Sequence, residues 1–324
     1  MNVLILGGGG REHSICFNLK KSKKIKNLWC IPGNAGTKKI AKSEIINLNK
    51  NEEIIDFFKK KKINLVIPGS EIYLANGISD SLSLEGINVF GPSKQAAKLE
   101  SSKIFTKKIC KLAGIKTAKW KICNNHKEAL KSIKSINFPC VIKLDSLAAG
   151  KGVVVAENIT EAKLFLKKVE LGQIGNKKSK IIIEEKINGE EASFFFVVDG
   201  KSAKFLGSAK DYKRIGEGNT GANTGGMGCI SPSPYENKKI ITKVLNEFIM
   251  PTIKIMSDLG FPYKGILYAG LMFTKKNIYL IEYNVRLGDP ECQAILPRLN
   301  SDLLDLCLAT NNKKLNQIFY IKRY

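Results

Sequence analysis

The chain is 324 residues long, 44% hydrophobic and 25% charged, which provides for two or three packed units with ample core and excludes a disordered or fibrous protein. Its formal charge of +24 rests on 53 basic residues, of which only five are Arg, and the lysines are spread over almost every helix-like stretch. No nucleic-acid partner is expected from that pattern. No apolar run reaches the roughly 20 residues that span a bilayer, and MNVLIL meets glycines too early for a secretion signal, so a cytoplasmic protein without a membrane partner is expected.

In chain order, β and α signals alternate at first. Strands at 2–6, 27–32, 63–69 and 87–92, with helices at 11–20, 52–61 and 75–84, predict a Rossmann-like parallel sheet covered on both faces. A helical stretch covers 94–113. Five further strands, at 138–145, 152–158, 180–187, 191–200 and 204–209, are expected to follow one another through short turns, with Asp199 and Gly200 marking a tight hairpin. A glycine-rich loop at 216–228, a helix at 237–259 and strands at 265–273 and 277–284 complete the pattern. The fold class is thus α/β followed by α+β. The aromatic run Phe194, Phe195 and Phe196 reads as core. The eight cysteines lack any C-x-x-C spacing and read as buried thiols. His13, at a helix start, reads as a structural hydrogen-bonding residue.

Two glycine clusters carry chemistry. Gly8, Gly9, Gly10 and Arg11 follow the first strand, but Glu12 and His13 stand where a dinucleotide fingerprint needs its third glycine, so an NAD enzyme is not expected. What remains is an anion cradle, closed by PGNAG (with Asn34) and PGSE (with Glu71) at the ends of neighbouring strands. The second cluster, DSLAAGKG, lies between two strands and lacks the Walker spacing. Its backbone amides at Gly150 and Gly152, with Lys151 and with Lys143 from the preceding strand, suit ATP phosphates. Glu184 and Glu185 face opposite ways on IIIEE, and Glu191 suits ribose hydroxyls. On YLIEYNVR, Glu282 and Asn284 are two apart and share a face, a carboxylate plus an amide oxygen for a hard cation such as Mg²⁺. Arg286 continues that face and could balance a carboxylate or a phosphoryl group.

GGGGREH, GKGV after VIK, IIIEEKINGEEASF, NTGANTGGMG with SPSP, and IEYNVRLGDPECQAI together resemble the phosphoribosylamine-glycine ligase family, ATP-grasp enzymes of purine biosynthesis. The resemblance runs from residue 1 to about 310. It implies ATP-dependent joining of glycine to 5-phosphoribosylamine through a glycyl phosphate, with Mg²⁺ or Mn²⁺. It implies an N-terminal substrate domain over 1–100, an ATP-grasp domain over 101–312 with a lid at about 119–187, and a tail over 313–324. ATP would be lined by Lys103, Lys143, Lys151, Glu184, Glu185, Ile187 and Glu191, and the metal held by Glu282 and Asn284. Asp211, Lys213 and Arg214, with Asn223, Thr224, Gly225 and Gly226, would shape the glycine and phosphoribosylamine pocket. Arg286, Asp289 and Glu291 would act beside the acyl phosphate, while Gly8, Gly9, Gly10, Arg11, Asn34 and Glu71 would take the sugar phosphate and hydroxyls.

Ser70 and Tyr73 depart from prolines of the family pattern, Ser146 from a glycine and Ala222 from a proline; none removes a charge. The family pattern also continues into a further small domain; a separate chain supplying it, a premature stop and a partial sequence are the open readings, and an exposed apolar patch is expected. The alternatives are a catalytically impaired ATP-binding remnant and another ATP-grasp carboxylate-amine ligase.

Overall fold

The structure, a computed structural model, describes residues 1–47, 50–147, 152–318 and 321. The first unit alternates as expected: β1 (Asn2–Gly7), α1 (Gly10–Leu19), β2 (Asn27–Pro32), α2 (Asn51–Lys61), β3 (Leu65–Pro68), α3 (Glu71–Ala75), α4 (Ile78–Leu84) and β4 (Asn88–Val89). The four strands pair in parallel in the order β2-β1-β3-β4. β1 lies between β2 and β3, and Val3, Leu4, Ile5 and Leu6 are wholly buried. Where one helix was expected at 75–84 there are two. Gly77, at φ +89°, breaks the ladder between them, a conformation most side chains avoid.

The chain then enters α5 (Lys98–Ser101) and α6 (Lys103–Ala113) and a small sheet built from β5 (Trp120–Cys123), β6 (Cys140–Leu144), β7 (Val153–Ala156) and β8 (Ile181–Glu185) in the order β5-β8-β6-β7. The expectation of short turns throughout fails here. Helix α7 (His126–Ile136) joins β5 to β6, and α8 (Ile159–Glu170) joins β7 to β8. Both begin at an asparagine whose side chain accepts the N–H of a glutamate three residues on, Asn125 with Glu128 and Asn158 with Glu161. That N-x-x-E pattern is a helix start legible in the sequence. The two helices bury Ala129, Ile133, Phe165, Leu166 and Val169 against Ile142, Leu144, Ile181 and Ile183. The opposite face of this sheet therefore carries Lys143 and Glu184.

The larger sheet is antiparallel: β9 (Glu190–Asp199), β10 (Ala203–Gly216), β11 (Thr220–Ile230), β12 (Lys264–Phe273) and β13 (Ile278–Asn284), in the order β11-β10-β9-β12-β13. The Asp199 carboxylate accepts the N–H groups of Lys201 and Ser202 and closes the β9–β10 hairpin, with Gly200 at φ +99°. The glycine-rich segment expected as a loop is mostly strand β11, because its backbone pairs with β10 from Lys210↔Ile230 to Gly216↔Thr220. Phe194 and Phe196 pack with α9 (Lys238–Val244) and α10 (Met250–Asp258), and Phe195 with α11 (Glu291–Ile295) and α12 (Leu303–Asn311). All three phenylalanines have no exposed surface. The β10–β11 hairpin carries the exposed apolar side chains of Tyr212, Ile215, Met227 and Ile230. Seven of the eight cysteines are buried and all eight are unpaired. Among the described residues no helix is long and apolar enough to cross a membrane.

Candidate active site

Strand pleating sets one wall of the site. Ser193, Gly270 and Glu282 are cross-strand partners, as are Ser193 and Ala209, so they lie on one face of the large sheet. Asp211, two residues beyond Ala209, continues that face. Tyr283 points the other way, into the helix layer, where its hydroxyl donates to Phe248 O at 2.9 Å. A Cβ at Gly270 would stand 3.3 Å from Glu282 Cγ, so the glycine leaves room beside that carboxylate.

The small sheet and α6 supply the opposite wall. Lys143 Nζ lies 3.0 Å from Glu184 Oε2, and Lys107 Nζ lies 3.2 Å from Glu184 Oε1. Lys103 donates to Ser146 O at 2.9 Å. The two walls act on each other electrostatically. Burial would raise the pKa of Glu282, yet Lys213, Lys143, Lys103 and Arg286 hold it below the usual carboxylate range. Burial pulls Lys103 down, opposed by Glu282. For Lys143 the same burial is outweighed by Glu184 and Glu282, so its pKa is raised. Lys213 is likewise raised, Glu282, Glu191, Glu291 and Asp211 overcoming its desolvation. A half-buried carboxylate ringed by cations from both walls marks a cleft between them, and one that favours anions.

Around this centre the expected residues separate into groups. Glu185 turns away from Glu184, as the alternation required, and accepts Lys119 N–H at 2.9 Å. Glu191 is exposed and 3.8 Å from Lys213, and Ile187 is half-buried. Gly152 is buried at the base of the β6–β7 connection, where its carbonyl accepts Leu144 N–H at 2.8 Å. Gly150 and Lys151 lie outside the described residues, as does the side chain of Asn223. Thr224 donates its hydroxyl to Lys213 O at 2.8 Å and accepts Gly226 N–H at 3.1 Å, so this turn fixes the strand that carries Lys213. Gly225 has open space around it, whereas a Cβ at Gly226 would stand 2.5 Å from Pro290 Cδ and 3.2 Å from Asp211 Oδ1. Arg214 donates to Gly221 O on the hairpin at 3.2 Å.

Asp211 and Glu291 form the acidic floor. Glu291, 3% exposed, accepts the Tyr268 hydroxyl at 2.9 Å and the Ser193 hydroxyl at 3.3 Å. Asp211 has a buried Oδ1 with no hydrogen-bond partner among the described residues. Its pKa is pushed up to about 6 by burial and by Glu291, against the pull of Lys213.

The first unit meets this wall differently from the expected open cradle. The Gly9 N–H already donates to Glu12 Oε2 at 2.5 Å, and a Cβ at Gly10 would meet Gln293 Nε2 at 2.7 Å. The turn is therefore packed against α11, with the exposed Asp289 beside Gly9 and bonded to Gln293 Nε2 at 2.5 Å. At Gly8, a Cβ would stand 2.7 Å from Gly33 O. The Asn34 amide donates to the carbonyls of Gly8 and Gly9, at 3.0 and 3.2 Å, and so holds the turn rather than pointing away from it. Arg11 donates to Gly69 O at 2.7 Å while its Nε is buried without a partner among the described residues. His13 abuts Gly36.

Arg286, expected to balance a carboxylate or a phosphoryl group, is clamped between two carboxylates. Its Nε donates to Glu71 Oε2 at 2.9 Å, and its Nη2 lies 2.8 Å from Glu100 Oε1. Glu100 also accepts Val285 N–H at 2.7 Å. Two carboxylates sharing one guanidinium cannot both be fully compensated. Burial pushes Glu100 up to about 7 against the pull of Arg286, whereas at Glu71 the pull of Arg286 outweighs burial and its pKa is lowered. Neither Glu100 nor Lys107 was found from the sequence. Glu100 stands alone and Lys107 beside Lys108 in helical stretches, and the only local signal was a charge at a position the helix buries.

The chain matches the family profile of the phosphoribosylglycinamide synthetase ATP-grasp (A) domain over residues 101–292 and that of the N domain over residues 1–100. It belongs to the phosphoribosylglycinamide synthetase family. A phosphoribosylamine-glycine ligase of Brucella melitensis is 44% identical over 98% of this chain and 74% of that protein. One from Clostridium acetobutylicum is 42% identical over 98% of this chain and 76% of that protein. The crystal structure of phosphoribosylamine-glycine ligase from Thermotoga maritima superposes with a TM-score of 0.83 at 34% identity, covering 97% of this chain and 76% of that one. The mixed α/β architecture, with its N-terminal parallel sheet and two antiparallel sheets facing a cleft, is the synthetase fold expected from the motifs.

Proposed function

We propose that the chain is an ATP-dependent carbon-nitrogen ligase of purine biosynthesis that joins glycine to 5-phosphoribosylamine, giving glycinamide ribonucleotide, ADP and phosphate. The observation that carries this reading is the charge arrangement across the cleft: Lys103, Lys143 and Glu184 on one wall, and Glu282 and Lys213 on the other. Its family membership supports the substrates.

A glycine carboxylate oxygen attacks the γ-phosphorus and ADP departs. The amine nitrogen of phosphoribosylamine then attacks the carbonyl carbon of glycyl phosphate; the carbon-oxygen bond to phosphate breaks and the nitrogen gives up a proton. Lys103, Lys143 and Lys213 offset phosphate charge from fixed positions, so catalysis comes from placement and electrostatics. Asp211, with an unpaired oxygen beside Lys213 and a pKa near neutrality, is suited to receive the released proton.

Glu282 and Asn284 fit a divalent cation, Mg²⁺ or Mn²⁺, as hard oxygen donors on one strand face. Among the described residues no cluster of three His, Cys, Asp or Glu exists to hold an ion without the nucleotide. A bound cation would neutralise phosphate charge. Arg11 and Arg286 line one small cleft with Gly69 and Leu287, and this supports residues 1–100 as the domain that takes the sugar phosphate. In the same reading residues 101–312 form the ATP-grasp domain, with its lid at about 119–187. Eight unpaired cysteines are in keeping with action in the cytoplasm.

The test is ADP release with ATP, Mg²⁺, glycine and freshly made phosphoribosylamine, with glycinamide ribonucleotide identified by mass. Glu282→Gln should remain folded by circular dichroism and lose at least about a hundredfold in kcat. ADP release that persists without phosphoribosylamine, or folded protein that makes no product, would refute the proposal.

A further inference from the structure

Lys107 lies one turn beyond Lys103 on α6, so the two ammonium groups share a helix face. It is 3% exposed, and with Lys143 it is one of two buried lysines among the described residues. Its Nζ donates to Thr117 Oγ1 at 2.6 Å and lies 3.2 Å from Glu184 Oε1. Thr117 in turn donates to Leu280 O at 2.7 Å, and Leu280 N–H returns to Lys116 O at 2.8 Å, so the link between α6 and β5 is stitched to β13 as a parallel bridge. Leu280 is two residues before Glu282. One unbroken chain of contacts thus runs from the strand of Glu282 through Thr117, Lys107 and Glu184 to Lys143, across the junction of the two sheets.

The charge count is the second observation. Glu184 has two ammonium groups in contact, Lys107 at 3.2 Å and Lys143 at 3.0 Å, and Lys103 is close enough to act on Lys143. A buried carboxylate paired with a single lysine would be neutral. Glu184 is thus shared between two ammonium groups, and the rest of the Lys143 charge is offset from the facing wall by Glu282 and Glu191, while burial pulls the pKa of Lys107 down. One carboxylate shared between two buried ammonium groups repays their desolvation only in part.

We propose that Lys107 is a positioning residue for the nucleotide: it engages Glu184 so that Lys143 is left under-neutralised toward the phosphates, and it locks the small sheet to β13. This rests on the ATP-dependent reading of the cleft. Lys107→Met would leave Glu184 to neutralise Lys143 alone, and the cleft would lose its pull on the triphosphate without losing any group that touches glycine.

The experiment compares steady-state constants and melting temperatures of the full chain and its variants. For Lys107→Met the KM for ATP should rise tenfold or more, while kcat at saturating ATP and the KM for glycine stay within twofold. Lys107→Arg, which keeps the charge, should rise less than threefold. Thr117→Val, which keeps both charges and cuts the anchor to β13, should raise the KM for ATP at least threefold, and it decides the matter if Lys107→Met does not fold. An unchanged KM for ATP in the folded variants, or a parallel loss in kcat and in both KM values with a lowered melting temperature, would overturn the proposal while the ligase reading stands. A wild-type chain that does not turn over ATP would overturn both.

Discussion

Replacing Glu100 with glutamine reports directly on the shared guanidinium. Glu100 is 8% exposed in its side chain and pushed up to about 7, whereas an unfolded carboxyl titrates near 4.5. The folded chain therefore holds a proton at Glu100 that the unfolded chain has released between those two values. Its contribution to stability is greatest below pH 4.5 and declines as pH rises through 7. Integrating that difference gives a loss of about 2.5 kcal/mol between pH 5 and pH 8. Glutamine keeps the shape and a neutral acceptor for Val285 N–H but does not titrate. The unfolding free energy of Glu100→Gln minus that of the wild type should thus increase by about 2.5 kcal/mol over that range. Urea denaturation followed by circular dichroism at fixed ionic strength measures it, and titrating groups remote from Arg286 cancel in the difference. A difference that is flat to within about 0.5 kcal/mol would show that Arg286 compensates Glu71 and Glu100 fully and would refute the reasoning.

Phe196→Ala removes a fully buried ring that contacts Phe205 at 5.4 Å between centroids, and should cost about 3–5 kcal/mol in urea unfolding. A cost under about 1.5 kcal/mol would mean that the α9–α10 layer closes over the gap. Gly226→Ala must place a Cβ against Pro290 at φ +130°, beside Asp211. It should cost about 1–3 kcal/mol and lower kcat/KM for phosphoribosylamine at least tenfold, whereas wild-type kinetics would place this turn outside the substrate pocket.

The motif strands could be read one residue at a time because pleating has a fixed period: Glu184 and Glu185 were bound to diverge, and Glu282 and Asn284 to share a face. The same rule made Phe194, Phe195 and Phe196 core on both sides of β9. Helices α7 and α8 were overlooked although Asn125 with Glu128 and Asn158 with Glu161 announced them, since the strand signals on either side drew the reading. The glycine-rich segment became β11 for a reason no local pattern holds: its backbone groups are satisfied by β10.

The order of the chemistry-bearing segments along the chain, and the charge type each brings, were determined by the sequence alone, for these follow from residue identity and strand period. The partners of Arg286, the closure of the Gly9 amide by Glu12 and the double contact on Glu184 were decided only when the chain folded. Charges 77, 186 and 215 residues apart, as in Lys107–Glu184, Glu100–Arg286 and Glu71–Arg286, meet through packing, and their pKa values depend on burial that no stretch of sequence specifies.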